Sequence, residues 1–494
     1  MGRLNKENII RGLSYLSRNG LRKTFYKAVE RLDRDDAESD YDSRMKKNQI
    51  SEEEAARQKA VQFEHAYKVS ILVPLYETDP KLFVETLESV AKQTYGNWEL
   101  CLCDASKTDE RRIIVREFCE KWDLKCTDRF GNAFDKIKYE HINQNGGISA
   151  NTNEALKMAT GDYIALLDHD DIIEPNALFE FISSVDEYER MHKEKDGSLK
   201  KVLVAYTDED KMSFDSTCYF DYHKKPDFDP ILLRTNNYIC HFLFVDANLA
   251  RSVDGFHSEF DGAQDHDFIF RCTEGIPSES IIHINKVLYH WRSTPVSTAE
   301  HPTAKMYAYE AGKRAVEEHL KRTGIKGKVE NTEHLGFYKV IYREIDAEII
   351  SISRQNLKTQ SSTQLALLPK DYLLIVSDDL KPLNPDYAVQ MLSCMQNGDI
   401  GAVTAKIIAK NGRVESAGYD KISDDGLKPR FNGLKRHYSG YLHRANLQQQ
   451  VDGFSQDIVL VRRSAVESYL PDIVLKDGYK VFYTPYVEFK RRNI

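Results

Sequence analysis

The apolar positions change period along the chain. Ile9, Leu13, Leu16, Leu21, Phe25, Ala28 and Leu32 recur at spacings of three to five, with Arg3, Lys6, Arg11, Arg18, Arg22, Lys23, Lys27 and Arg31 filling other positions. That spacing predicts a basic amphipathic helix, broken near Asn19-Gly20. Such a helix packs on its own domain, on a partner subunit or on an anionic membrane surface. The stretch DRDDAESDYDSRMKKNQISEEEAARQK that follows is polar and charged, and reads as a linker or solvated helix.

From Lys68 the pattern alternates between strand and helix. VSILVPLY is a β-branched apolar run, KLFVETLESVAKQ has helical spacing, WELCLCDAS is a second strand and RRIIVREFCEKW a second helix. KIKYEHI predicts a third strand. GGISANTNEALKMA predicts a loop feeding a helix that starts at Ser149 or Asn151, and DYIALLD a fourth strand. This order predicts an α/β class with a parallel sheet, whose ligands bind at the carboxyl ends of the strands. Pro74, Tyr76, Asp104 and the cluster Asp168, Asp170 and Asp171 all fall at such ends.

The chain's 494 residues exceed what one core organises, and 41% hydrophobic content is that of a globular protein. A net charge of -8 argues against a nucleic-acid partner. The eight cysteines form no CxxC pair, and they read as reduced thiols of a chain that stays inside the cell. No apolar run reaches the length of a membrane span, and the start of the chain is too charged for a signal peptide. GxGxxG and GxxxxGK[ST] are both missing, so a phosphate-bearing ligand needs another source of positive charge. A divalent ion held by one or two carboxylates and shared with substrate phosphates meets that need, and Asp168 and Asp170 are spaced for it.

These blocks, from VSILVPLYETDP to GDYIALLDHDD, resemble the nucleotide-sugar domain of family 2 glycosyltransferases of the GT-A fold, over about Lys68 to Lys328. The resemblance implies that Asp104 reads the nucleotide base, with the family's acidic pair reduced to Cys103-Asp104. It implies that Asp168 and Asp170 hold Mn2+ or Mg2+ against the donor diphosphate. FDGAQDHDFIFRC is similar to the segment supplying the catalytic base of inverting members, which falls on Asp265, with Gln264 where an acid is usual. LYHWRSTPVST is similar to the late loop that completes the metal or diphosphate site, making His290 a metal ligand and Arg292 a phosphate contact. The implied donor set is Pro74, Tyr76, Asp104, Asn145, Asn153, Asp168 and Arg292. YTDEDK and KPDFDPILLRTNNYICHFLFV are similar to segments of enzymes that build bacterial rhamnose-containing surface polysaccharides.

Each residue alone has a plainer reading. Asp104 can be a turn residue, Asp265 a surface carboxylate and His290 a structural histidine; Asp208, Glu209 and Asp210 can be a solvated turn. Order and spacing favour the functional reading for the first three.

KDYLLIVSDDLKPLNPDYAVQMLSCM mirrors GDYIALLDHDDIIEPNALFEFISSV at an offset of 209 residues between Tyr163 and Tyr372. Ser377 stands where the first copy has Asp168, and Asp379 matches Asp170. The second copy lacks most of the nucleotide-binding half and any FDGAQDHD block, and reads as a worn GT-A-like unit: a scaffold, a chain-binding surface or a homodimer contact. The expected organisation is a helical segment with a charged linker over 1–67, a catalytic domain over 68–343 and a degenerate domain over 344–494. The expected function is inverting, metal-dependent transfer of a sugar from a dTDP- or UDP-sugar donor to a lipid-linked or growing bacterial polysaccharide, in the cytoplasm or peripheral on the membrane's inner face. The alternative is a non-catalytic nucleotide-sugar-binding scaffold.

Overall fold

The computed structural model describes residues 40–124, 126–127, 136–193, 200–293, 306–361, 364–365, 371–423 and 426–492, with residues 16, 17, 20, 21, 24, 25, 27 and 28. Most of the expected N-terminal helix lies outside the described residues. The chain divides into a larger unit, Asp35–Phe228 with Asn237–His319, and a second unit, Met1–Arg34 with Asp229–Asn236 and Leu320–Ile494.

The larger unit opens with two short helices, α1 (Tyr41–Asn48) and α2 (Glu52–Lys59). They are not wholly solvated: Tyr41 and Met45 are buried against Met212 and Tyr219. The sheet begins with β1 (Val69–Leu75), followed by α3 (Pro80–Ala91), β2 (Trp98–Asp104), α4 (Glu110–Lys121), β3 (Cys126–Thr127), β4 (Ile137–His141), α5 (Ile148–Met158), β5 (Tyr163–Leu166) and β6 (Ile172–Ile173). After α6 (Ala177–Met191) come β7 (Val204–Met212), β8 (Tyr219–His223), β9 (Leu243–Asp246), α7 (Ala247–Ser252), α8 (Gln264–Thr273) and β10 (Ile281–Arg292). Continuous apolar runs make β1 and β2 central parallel strands covered on both faces. Asp79 caps α3 by accepting from the Lys81 amide, and Pro80 occupies the first turn, where its missing N–H costs nothing.

The strand order is β3-β4-β2-β1-β5-β9-β7-β10-β6, with β8 on β7. β1 is parallel to β2 and β5, while β9 runs antiparallel to β5 and β7. β10 is parallel to β7, and β6 is antiparallel to β10. The parallel half thus becomes a mixed half at β9. The register sets Leu75 beside Asp104 and Asp104 beside His141, aligning the carboxyl ends. The core lies between this sheet and its helices, built from Phe83, Leu87, Leu102, Phe181, Phe242 and Phe244 among others.

The second unit repeats the mixed half. Ile349–Ser353 runs parallel to Tyr372–Val376, which is antiparallel to Ile458–Arg462. The latter is antiparallel to Ile400–Ile408, which runs parallel to Lys480–Arg491, and Leu380–Pro382 closes the sheet antiparallel to that strand. Order and directions match β1-β5-β9-β7-β10-β6, so the repeat at offset 209 is a repeat of topology. Among the described residues this sheet has no counterparts of β2, β3 and β4 beyond Ile349–Ser353.

Two expectations change. Cys101, Cys103, Cys218, Cys240, Cys272 and Cys394 are free, but Cys119 is disulfide-bonded; its apolar surroundings did not separate a thiol from a disulfide, since both are buried. YTDEDK is no turn. It lies within β7, where Asp208, Glu209 and Asp210 are all buried.

Candidate active site

The cluster after β5 is held open by two residues of β10. Asp171 is buried: its Oδ1 accepts from the Arg292 amide at 2.7 Å, and its Oδ2 accepts from the Tyr289 hydroxyl at 2.5 Å. Arg292 spreads its guanidinium beneath the same turn. Nε donates to the Asp170 carbonyl at 2.6 Å, one terminal nitrogen donates to the Phe214 carbonyl and Ser216 Oγ, and the other donates to Glu85 at 2.7 Å. All three nitrogens are engaged internally and the side chain is buried, so in this structure Arg292 supports the Asp168–Asp171 turn and offers no donor to a phosphate.

With Asp171 committed inward, Asp168 and Asp170 are left at the surface of the turn, both half-buried. Among the described residues neither carboxylate accepts a hydrogen bond from another side chain or backbone group; His169 Nδ1 lies 3.8 Å from Asp170. Burial pushes the Asp170 carboxyl above its ordinary value, with Asp168 adding to the effect and His169 and Arg292 opposing it. Two crowded acids that accept no hydrogen bond from a neighbouring residue suit a cation. Among the described residues no group of three or more His, Cys, Asp or Glu side chains could hold a metal ion, so a bound ion would rest on this pair and on substrate oxygens.

His290 does not join that pair. Its Nδ1 lies 2.6 Å from Asp210 Oδ1 and its Nε2 lies 2.9 Å from Glu174 Oε1, with Tyr41 donating to the other Asp210 oxygen at 2.7 Å. Burial works against its charge, yet Asp210 and Glu174 raise it to about 9. A ring protonated at both nitrogens has no lone pair for a metal. Strand alternation decides this: Tyr289 and Trp291 meet His241 on one face of β10, and His290 turns to the other.

At the same carboxyl end of the sheet, on the strands beside β5, Pro74 is half-buried on β1 and Tyr76 is exposed. Asp104 is fully buried, with Oδ1 accepting from the Ser106 amide at 2.8 Å and Oδ2 from the Tyr139 hydroxyl at 2.5 Å. Asn145 accepts from the Gly147 amide and from Asn151 Nδ2. Asn153 clamps Phe256, donating to its carbonyl and accepting from its amide, both at 2.8 Å. The loop before α5 is likewise built from a distance. The helix starts at Ile148, with Gly147 as its N-cap, and Asp261 supplies the cap, accepting from Ser149 Oγ at 2.5 Å. Gly147 has φ +92, and a Cβ there would meet Asp261 Oδ2 at 2.4 Å, so both conformation and space require glycine.

Asp265 lies in the first turn of α8, half-buried. Its Oδ2 accepts from Asn237 Nδ2 at 2.7 Å and from Cys240 Sγ at 3.7 Å. Burial pushes the Cys240 thiol well up, and Glu209, Asp265 and Asp168 all add to it. That thiol meets Asp265 directly. Asn237, Cys240 and Tyr289 were not singled out from the sequence. NNYICH carried the signal for two of them, but nothing in the spacing tied that segment to Asp265.

Residues 70–192 match the family model described as Glycosyl transferase family 2. The match covers β1 to α6 and so the whole Asp168–Asp171 turn. The chain is similar to a protein of Sinorhizobium fredii described as uncharacterized protein y4gI, 31% identical across 85% of this chain and 52% of the relative. It is also similar to the O-antigen biosynthesis protein RfbC of Myxococcus xanthus, 25% identical across 74% of this chain and 31% of that protein. The chain thus spans about half, or less, of the length of these relatives. Among solved structures, S. aureus TarS is 20% identical, with a TM-score of 0.36 over 51% of this chain and 40% of that one.

Proposed function

We propose that this chain is an inverting glycosyltransferase that moves a sugar from a dTDP- or UDP-linked donor onto a lipid-linked or growing bacterial surface polysaccharide. The observation that carries the reading is the half-buried carboxylate pair Asp168 and Asp170 in the turn after β5, set within the stretch that matches the family 2 glycosyltransferase model. The O-antigen name of one relative supports the polysaccharide class.

Asp168 and Asp170 would hold Mn2+ or Mg2+, which when bound neutralises charge on the leaving diphosphate. Asp265 takes the proton from the acceptor hydroxyl while that oxygen attacks the anomeric carbon, and the nucleoside diphosphate departs from the opposite face, inverting the configuration. Among the described residues only Oδ2 of Asp265 has partners, which leaves Oδ1 to accept that proton. Pro74 and Tyr76 line the base end, Asp104 acts from beneath it through the Ser106 amide and the Tyr139 hydroxyl that occupy its two oxygens, and Asn145 and Asn153 shape the loops around the donor. Arg292 acts through the turn that it supports. No helix among the described residues is long and apolar enough to cross a membrane; attachment at the cytoplasmic face through the basic N-terminal segment belongs to the proposal.

Asp265→Asn tests the assignment. Release of nucleoside diphosphate should fall by roughly 10²–10⁴-fold while metal-dependent nucleotide binding stays within about twofold. Wild-type turnover in this variant would overturn the role of Asp265 as base.

A further inference from the structure

Asp265 receives its partners from a segment that is itself pinned by a buried ion pair. Lys225 is fully buried, and its ammonium donates to the Ile239 carbonyl at 2.6 Å, to the His241 carbonyl and to Glu209 Oε2 at 3.2 Å. Glu209 Oε2 also accepts from the His241 amide at 3.1 Å, and Oε1 faces His223 Nδ1 at 3.0 Å. Both ends of the Ile239–His241 peptide run are therefore fixed to one charge pair. Between them Cys240 has φ +39, a left-handed conformation that a non-glycine residue adopts only when its surroundings impose it. The outcome of that strain is visible: the Cys240 thiol and the Asn237 amide both point at the same oxygen of Asp265.

A buried pair is a poor source of stability, because desolvation offsets most of its attraction. Here it captures three backbone groups of one segment, which suits orientation. We propose that Glu209 and Lys225, acting through Asn237 and Cys240, are positioning residues that hold Asp265 by Oδ2 and keep Oδ1 directed at the acceptor hydroxyl. The inference rests on the reading of Asp265 as the base. It adds which oxygen takes the proton and what aims it.

The test uses water as the acceptor, since the same base deprotonates it. Release of nucleoside diphosphate is followed from UDP-glucose, UDP-N-acetylglucosamine and dTDP-rhamnose with Mn2+, taking whichever donor the wild type turns over fastest. Lys225→Met leaves Glu209 uncompensated and is liable to unfold, so Asn237→Ala and Cys240→Ala are the working variants. Asn237→Ala should lower kcat by about 10- to 100-fold with donor KM within about twofold, because misaimed chemistry is lost and donor contacts are not. Cys240→Ala should lower kcat by a smaller factor with the same unchanged KM. Asn237→Asp sets a second carboxylate against Asp265, so the acid limb of its kcat profile should move up by about one pH unit or more, which a merely structural defect would not do. Wild-type kcat in both alanine variants, or an unmoved acid limb in Asn237→Asp, overturns the positioning role if Asp265→Asn is inactive. Activity in Asp265→Asn, or a wild type that turns over none of the donors, overturns instead the base reading beneath it.

Discussion

At the residue scale, the Asp168–Asp171 turn divides its labour by burial. Asp171 faces inward onto Tyr289 and the Arg292 amide, and that anchoring leaves Asp168 and Asp170 half-exposed, with His169 beside Asp170 at 3.8 Å. Asp170→Ala should weaken Mn2+-dependent binding of the cognate nucleotide by about tenfold or more, measured by calorimetry, because half of the carboxylate pair is gone. Arg292→Leu should act differently. It strands the part-buried Asp170 and Phe214 carbonyls, at the low end of the roughly 1–3 kcal/mol of an unsatisfied acceptor, and should lower the melting temperature by a few degrees along with activity. Arg292→Lys should rescue little, since a single ammonium cannot reproduce the three-nitrogen span. The three acidic residues at the strand end and their D-x-D spacing were legible in the sequence. Which of them turned inward was not, because that depends on Tyr289 and Arg292, more than a hundred residues downstream.

At the element scale, β7 and β10 determine how the site is supported. β7 carries Asp208, Glu209 and Asp210 in succession, and each meets a histidine: His283, His223 and His290. Against the cost of burial, Lys225, His223 and His241 hold Glu209 down at about 2. His290 is raised to about 9, above the roughly 6.5 of an unfolded chain. Its contribution to stability is therefore complete below about pH 6.5 and lost as pH rises through about 9. Thermal melting should show wild-type stability declining between about pH 7 and 10, with a flatter profile in His290→Gln; parallel profiles would contradict the buried imidazolium. The alternation of strands and helices through β5 was readable from hydrophobic period alone, since parallel strands are plain apolar runs. β7 was misread as a turn because three consecutive acids look solvated until their partners, from β8, β10 and the segment after them, are known. The α5 start was misplaced for the same reason: Asp261, its cap, is remote in sequence.

At the scale of the whole molecule, the two sheets show what the repeat kept and lost. In the second unit Asp379, the counterpart of Asp170, meets the guanidinium of Arg491 at 2.6 Å, and that same group engages Glu415 and Asp457. Three carboxylates there already share a cation supplied by the chain. Together with the absence, among the described residues, of counterparts of β2 to β4, this predicts one nucleotide per chain. Arg491→Met should lower the melting temperature, since it leaves Asp379 and Glu415 uncompensated while Asp457 keeps Arg354, and nucleotide affinity should stay within about twofold; loss of nucleotide binding in this variant would contradict a donor site confined to the first sheet.

The most direct test of the account is a calorimetric titration of the purified chain with UDP, dTDP, GDP and CDP, each with and without Mn2+. The account predicts that UDP or dTDP binds at a stoichiometry of one per chain, that binding needs the metal, and that Asp170→Ala weakens this metal-dependent binding by about tenfold or more. Absence of binding by all four, or binding indifferent to both metal and Asp170, would contradict it.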